Sequence, residues 1–187
     1  MNGRLFLVVP QTEKGGYQLV VRDKGAKNVE YVIPLELQIL NVNPCHPGCF
    51  PAGTTVETPA GPRLIETIRA GEPVQTVSPD GKLVPIKVAS VFVGQSLLVA
   101  IETDNGVLHT TGKQPLFLTS GAVKSAIDLV SGDEIARWKD GRPQPVKVRA
   151  VQLKDRQPVP IFNLVLEEQG IFIANGYLVG DAGSYEG

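Results

Sequence analysis

The sequence predicts an all-β protein, and three features of the chain support this class. From residue 49 onward the apolar runs are short, as in a protein built from many strands. Prolines recur between residues 59 and 160, so only residues 63–69 and 123–130 can form a helical turn or two. Turn dipeptides also separate the strand-like runs. They are Asp80-Gly81, Asn105-Gly106, Asp140-Gly141 and Asn175-Gly176.

The composition is that of an ordinary globular protein. The chain has 187 residues, a length that allows one domain, or one domain and a flanking piece, and 42% of the residues are apolar and 20% charged. Its net charge is −1 and both signs are scattered, so we expect neither a nucleic acid nor a membrane as partner. The first apolar run, residues 5–9, is too short for a signal peptide or a membrane span. We therefore expect a cytoplasmic protein or part of a larger precursor.

The N-terminal segment predicts a small β-rich flank. Residues 5–9, 17–22 and 29–40 are apolar runs joined by polar, glycine-containing stretches, which is typical of a three-stranded meander. Pro34 interrupts the last run and predicts a bulge or an edge position there. Residues 41–48 then form a loop with two prolines and a glycine.

An internal repeat organises the rest of the chain. Residues 68–74 parallel residues 129–135, and residues 56–61 parallel residues 116–121. Each copy has the order strand, glycine turn, short helical turn, glycine-acid turn, strand. Two copies predict a pseudo-two-fold domain rather than a solenoid, which needs more units.

Three blocks carry a family resemblance. They are residues 49–61, which open with a cysteine, the Gly71-Glu72 turn, and residues 161–179. In this order they resemble the Hint superfamily, which contains inteins, bacterial intein-like domains and the autoprocessing domain of hedgehog proteins. The resemblance implies a pseudo-symmetric β horseshoe. It divides the chain into an N-terminal flank (1–48), a Hint domain (49–181) and a short tail (182–187).

The resemblance also implies self-processing rather than turnover of a separate substrate. The thiol of Cys49 would attack the carbonyl of Gly48, so that the amide becomes a thioester. A small thiol or water would then accept the acyl group. The substrate would be the chain's own N-terminal flank, and neither a cofactor nor a metal is expected. Glycine at position 48 has no side chain to block this approach.

The family's proton donor is missing from its usual place. The family has Thr-x-x-His in its second block, whereas this chain has Thr111 followed by Gln114. A glutamine amide can hold the peptide bond by hydrogen bonds but does not shuttle protons near neutral pH. The resemblance therefore implies slow or nucleophile-induced cleavage between Gly48 and Cys49.

The closing block departs further. Splicing inteins end in His-Asn followed by Cys, Ser or Thr, and the matching positions here are Gly180, Asp181 and Ala182. Asp181 lacks the amide nitrogen that asparagine uses to cyclise, and Ala182 offers no hydroxyl or thiol. We therefore expect no splicing.

Several alternatives stay open. A disulfide between Cys45 and Cys49 would mask the nucleophile until it is reduced. A metal site at Cys45, His46 and Cys49 is less favoured, because a structural zinc needs four ligands. His109 lies two residues before Thr111 and either replaces the missing histidine or is an ordinary strand residue. The chain as a whole is alternatively a Hint fold that has lost catalysis and serves as a structural or interaction module.

Overall fold

The computed structural model describes residues 16–22, 30–36, 48–154, 157–168 and 170–182. The chain divides into two units, residues 1–42 and residues 43–187. Each unit is described by itself below. The boundary between flank and domain at residues 48 and 49 stays a prediction.

The described residues of the first unit form two antiparallel strands, β1 (Gly16–Arg22) and β2 (Glu30–Glu36). They correspond to the second and third strands of the predicted meander, and residues 5–9 lie outside the described residues. Pro34 lies opposite Gln18 in a register that runs without a shift, so no bulge forms there. Among the described residues β1 and β2 pair only with each other, so Pro34 lies on an edge strand there, where a proline is tolerated.

The described residues of the second unit form strands of 2 to 14 residues. They are β3 (Phe50–Pro51), β4 (Thr55–Val56), β5 (Arg63–Leu64), β6 (Pro73–Val77), β7 (Leu83–Ser96), β8 (Val99–Thr103), β9 (Gly106–Thr110), β10 (Pro115–Phe117), β11 (Val123–Ser125), β12 (Glu134–Lys139), β13 (Arg142–Leu153), β14 (Val159–Leu166), β15 (Ile171–Ala174) and β16 (Tyr177–Gly180). Two single 3₁₀ turns, Ile65–Thr67 and Ala126–Asp128, are the helical elements among the described residues, and both lie where the sequence predicts helical turns. The all-β prediction is therefore confirmed. No helix of the described residues is long and apolar enough to cross a membrane.

In the described part of this unit the strands form two antiparallel sheets. The smaller sheet has the order β3-β14-β7-β6. The larger sheet follows the order β5-β4-β15-β16-β12-β13-β8-β9, and β10 pairs with both β16 and β11. Strand β14 pairs Phe162 with Phe50 of β3, so the chain just after Cys49 is held beside β14. This pairing positions the candidate site.

The internal repeat of the sequence is also a repeat of hydrogen bonds. The amide of Gly71 donates to the carbonyl of Val88 at 2.7 Å, and that of Gly132 donates to the carbonyl of Val148 at 2.9 Å. The acidic residue after each glycine forms a salt bridge with a basic residue of the strand that precedes the 3₁₀ turn. Arg63 contacts Glu72 at 2.9 Å, and Lys124 contacts Asp133 at 2.8 Å. The two copies thus share one turn architecture, as a pseudo-two-fold domain requires.

The apolar core joins the start of the domain to its closing strands. The rings of Phe50 and Phe172 are both fully buried and meet edge to face, with centroids 6.2 Å apart. Cys49 lies in a separate, smaller cluster with Leu98 and Ile161. The residue next to Phe50 is therefore buried as well, and its thiol faces an apolar environment.

Candidate active site

The peptide bond between Gly48 and Cys49 is held at both of its polar atoms. The carbonyl oxygen of Gly48 accepts a hydrogen bond from Nδ2 of Asn163 at 2.6 Å. The amide N–H of Cys49 donates to Oγ1 of Thr111 at 2.8 Å. Both contacts are buried, so they are stronger than the same contacts in water. They fix the orientation of this peptide group.

A second pair of contacts fixes the next carbonyl. The carbonyl oxygen of Cys49 accepts the hydroxyl of Thr110 at 2.8 Å and the backbone N–H of Thr111 at 2.9 Å. Thr110 is the last residue of β9, and Thr111 follows it directly. Sequence reasoning singled out Thr111 and missed Thr110. The two residues together hold the backbone of Cys49 at the end of that strand.

Asn163 is the functional candidate that sequence reasoning missed. Its side chain is fully buried on β14, and its Oδ1 accepts the backbone N–H of Leu164 at 2.7 Å. This contact fixes which end of the amide faces Gly48, since the oxygen is already occupied. The sequence carries a signal for it: Asn163 is the polar side chain within the otherwise apolar residues 161–166. Such a buried polar side chain needs a partner, which here is Gly48.

The thiol of Cys49 is not activated in this arrangement. Cys49 is a free, fully buried cysteine in contact with the cluster that Leu98 and Ile161 form. Desolvation by this burial raises the pKa of the Cys49 thiol to about 12. The nucleophilic form of cysteine is the thiolate, and a raised pKa keeps this thiol protonated at neutral pH.

Gln114 lies against the same peptide group and also reaches the closing strand. It is fully buried, and its Nε2 donates to the carbonyl oxygen of Gly180 at 2.9 Å. Its Oε1 has no hydrogen-bond partner among the described residues. A Cβ atom placed on Gly48 would lie 2.9 Å from this oxygen. Gln114 therefore lies between Gly48 and Gly180.

Asp181 forms hydrogen bonds with backbone groups of neighbouring strands and loops. Its carboxylate is buried, and it accepts the N–H of Leu166 at 3.1 Å and the N–H of Gly170 at 3.4 Å. Its own N–H donates to the carbonyl of Gly170 at 3.1 Å. These contacts tie the end of β16 to the end of β14, which is a structural role.

The remaining candidates of the sequence are His109, Cys45 and His46. His109 is on β9 between Leu108 and Thr110, which are both buried, so it points to the other face of that strand. Its part as a substitute for the missing histidine stays a prediction. Cys45 and His46 lie outside the described residues. Among the described residues, no three His, Cys, Asp or Glu side chains are grouped as metal ligands.

No protein-family model and no curated protein matches the sequence. Solved structures do match. The bacterial intein-like domain from Clostridium thermocellum is 25% identical with a TM-score of 0.63, and the match covers 71% of this chain and 98% of that one. A DnaB intein from Synechocystis is 17% identical with a TM-score of 0.63, covering 72% and 98%. The TvoVMA intein is 20% identical with a TM-score of 0.61, covering 72% and 97%.

These matches cover nearly the whole length of each solved domain, and all three domains are inteins or intein-like. At these low sequence identities the matches establish the fold of the chain but not the chemistry of its site. The resemblance to the Hint superfamily is thereby confirmed at the level of the fold: this chain is a Hint-fold protein.

Proposed function

We propose that this chain is a self-processing Hint domain in which the thiol of Cys49 attacks the carbonyl carbon of Gly48. The observation that carries the proposal is the 2.6 Å hydrogen bond from Asn163 to the oxygen of Gly48. That oxygen gains negative charge when the thiol adds to the carbonyl. A buried, oriented donor at this atom is the arrangement that stabilises such a charge.

The first step is an isomerisation that needs no co-reactant. A bond forms between Sγ of Cys49 and the carbonyl carbon of Gly48, and the bond from that carbon to the nitrogen of Cys49 breaks. The thiol proton ends on this nitrogen, which becomes an amine. Thr111 accepts a hydrogen bond from the same nitrogen at 2.8 Å and so holds the leaving group in place. The product is a thioester that carries the N-terminal flank.

Two features of the site make this step slow. The thiol must lose its proton although burial raises its pKa to about 12. The departing nitrogen must gain a proton, and the side chain of Gln114, which lies beside Gly48, is no acid. Missing acid–base help of this kind lowers a rate by about 10² to 10⁴. A small external thiol would speed the net reaction by removing the thioester, and water would do the same more slowly.

The closing end supports cleavage without splicing. Both carboxylate oxygens of Asp181 accept backbone N–H groups, from Leu166 and Gly170. Asp181 has no amide nitrogen with which to cyclise, and Ala182 has no group that could accept an acyl chain. The proposed product is therefore a released N-terminal segment, and the two flanks are not joined.

A second candidate function is a Hint fold without catalysis that serves as a structural or interaction module. The protonated, fully buried thiol of Cys49 favours it, because such a thiol resembles a small core residue. The two candidates differ in one property. The first makes the bond between Gly48 and Cys49 sensitive to added thiol, and the second leaves it as stable as any other.

Intact-mass spectrometry of the purified full chain, with and without dithiothreitol, tests the proposal. We expect the wild type to release residues 1–48 as a dithiothreitol adduct and to leave residues 49–187. The Cys49→Ala variant should stay intact, and Cys45→Ser should behave as the wild type. An intact, folded wild type after prolonged incubation would favour the second function. Equal cleavage of Cys49→Ala would show that another nucleophile acts.

A further inference from the structure

We propose that the site accepts only glycine at the acyl position, residue 48, and that the main chain of Gln114 enforces this selection. The inference rests on the proposed function and specifies its substrate class: polypeptide segments whose acyl group ends in glycine. Each released segment would then end in a glycyl thioester or, after hydrolysis, in a glycine carboxylate.

The selection follows from the space beside Gly48. A Cβ atom on this residue would lie 2.3 Å from Cα of Gln114 and 2.8 Å from its backbone nitrogen. Non-bonded carbon atoms prefer a separation of roughly 3.5–4.0 Å, so the nearer contact is more than 1 Å too short. Both atoms belong to the main chain. No rotamer of the Gln114 side chain can therefore relieve the overlap.

The main chain of Gln114 is held in place. Its N–H donates to the carbonyl of Thr111 at 3.1 Å, and its carbonyl accepts the N–H of Ala126 at 2.9 Å. Its side chain adds the contact to Gly180 at 2.9 Å. A shift of this backbone away from Gly48 would break these contacts together.

Gly48 is held from the other side. Its carbonyl is bound by Asn163 at 2.6 Å, and the following N–H is bound by Thr111 at 2.8 Å. A larger residue at position 48 must move away from Gln114, and the peptide group between 48 and 49 moves with it. The contacts that orient the reacting carbonyl are then lost. Any side chain at this position would therefore separate the peptide bond from the groups that act on it.

The backbone angle of Gly48 alone does not explain the selection, and Gly53 shows how to separate the two effects. Gly48 has φ = +109°, where residues with side chains are strained. Gly53 has φ = +84°, yet a Cβ placed there meets nothing within 4 Å. Gly53→Ala therefore carries the backbone strain without the overlap and is the matched control for Gly48→Ala.

The experiment compares both alanine variants in a Cys45→Ser background at equal folded fraction. The first readout is dithiothreitol-induced release of residues 1–48. We expect Gly48→Ala to lower the rate by about 100-fold, as a displacement of about 1 Å from the reacting geometry does, and Gly53→Ala to stay within about threefold of the parent. Adding Gln114→Ala to Gly48→Ala should not restore cleavage, since the overlap involves the main chain. Restoration would assign the selection to the side chain and overturn the proposal in this form.

The second readout is the rate at which iodoacetamide alkylates Cys49, which does not depend on cleavage. This thiol is fully buried in the parent. Displacement of residue 48 should raise its alkylation about tenfold in Gly48→Ala, as expected for the loss of one hydrogen bond, and not in Gly53→Ala. If the parent is not cleaved at all, the proposed function fails while this readout still decides the selection. Equal alkylation rates and equal cleavage rates in the two variants would overturn the proposed selection for glycine at position 48. Unfolding of Gly48→Ala, with Gly53→Ala still folded, would support a steric overlap with the main chain of Gln114.

Discussion

Asn163 donates a hydrogen bond from Nδ2 to the carbonyl oxygen of Gly48 at 2.6 Å, across 115 residues of sequence. The contact joins strand β14 to the peptide bond that precedes Cys49. Because Leu164 donates to the other end of the same amide at 2.7 Å, the side chain cannot turn over without leaving both groups unpaired. The donor is thus oriented before any reaction begins, and this orientation makes the Asn163 amide the centre of the proposed mechanism.

Removal of this amide should slow thiol-induced cleavage. We expect Asn163→Ala to lower the rate by about 10² to 10³, which is typical for the loss of one donor to a developing oxyanion. Asn105→Ala, at an exposed turn, is the control that removes an asparagine amide elsewhere. Rates are compared by gel densitometry at one thiol concentration, for protein shown to be folded by circular dichroism. An unchanged rate in folded Asn163→Ala would show that the hydrogen bond is only structural.

Restoring a titrating group beside the peptide bond should accelerate cleavage. Gln114→His places an imidazole next to Gly48, and we expect an increase of up to about 100-fold, because an imidazolium can protonate the departing nitrogen. The Gln114→Leu variant has no such proton and provides the reference at each pH. The ratio of the two rates should fall as the pH rises through the histidine pKa, near about 6.5. A ratio near unity at all pH values would place the proton donor elsewhere.

The buried thiol of Cys49 should make stability fall in alkaline solution. Its pKa is 9.0 in the unfolded reference and about 12 in the folded protein, so between these values the folded state binds one proton more. Stability therefore decreases as the pH rises above about 9, with a slope approaching 1.4 kcal/mol per pH unit. Below the unfolded pKa this group adds no pH dependence.

Urea unfolding of wild type and Cys49→Ala, both with Cys45→Ser, measures this difference because all other titrations cancel. The difference in the free energy of unfolding, wild type minus Cys49→Ala, should fall by about 1.6 kcal/mol between about pH 9 and pH 10.5. Parallel curves for the two proteins would mean that the thiol ionises as readily in the folded state as in the unfolded chain.

The closing end should be inert. A reporter protein fused after Gly187 should remain attached under conditions in which the Gly48–Cys49 bond is cleaved, since Asp181 cannot cyclise as asparagine does. Gel analysis and mass spectrometry follow the fusion. A released reporter that begins at Ala182 would contradict the assignment of this end as inactive.

Much of the fold could be predicted because it is specified by short-range signals. Asp140 and Gly141 both have positive φ, at 52° and 75°, as the two-residue turn between β12 and β13 requires. Asn175 and Gly176 also have positive φ, at 49° and 82°, in the turn between β15 and β16. Asn and Gly tolerate these angles better than other residues, so the dipeptide itself marks the hairpin.

The candidate site was only partly predictable, since its contacts join distant parts of the chain. Thr111 and Gln114 were found through their place in a family block. Asn163 was not, because nothing local shows that its amide meets Gly48, and the burial of the Cys49 thiol depends on β14 and on Leu98 in the same way. Long-range pairings of this kind are set by tertiary packing and not by sequence spacing.

Hydroxylamine cleavage of the folded wild type, beside Cys49→Ala, tests the central claim most directly, because hydroxylamine at neutral pH reacts with thioesters far faster than with amides. If the Cys49 thiol attacks the Gly48 carbonyl, mass spectrometry will find residues 1–48 as a hydroxamate at Gly48 and residues 49–187 with a free Cys49 amine, in the wild type only. Intact wild-type chain, or the same fragments from Cys49→Ala, would contradict a thioester at this bond.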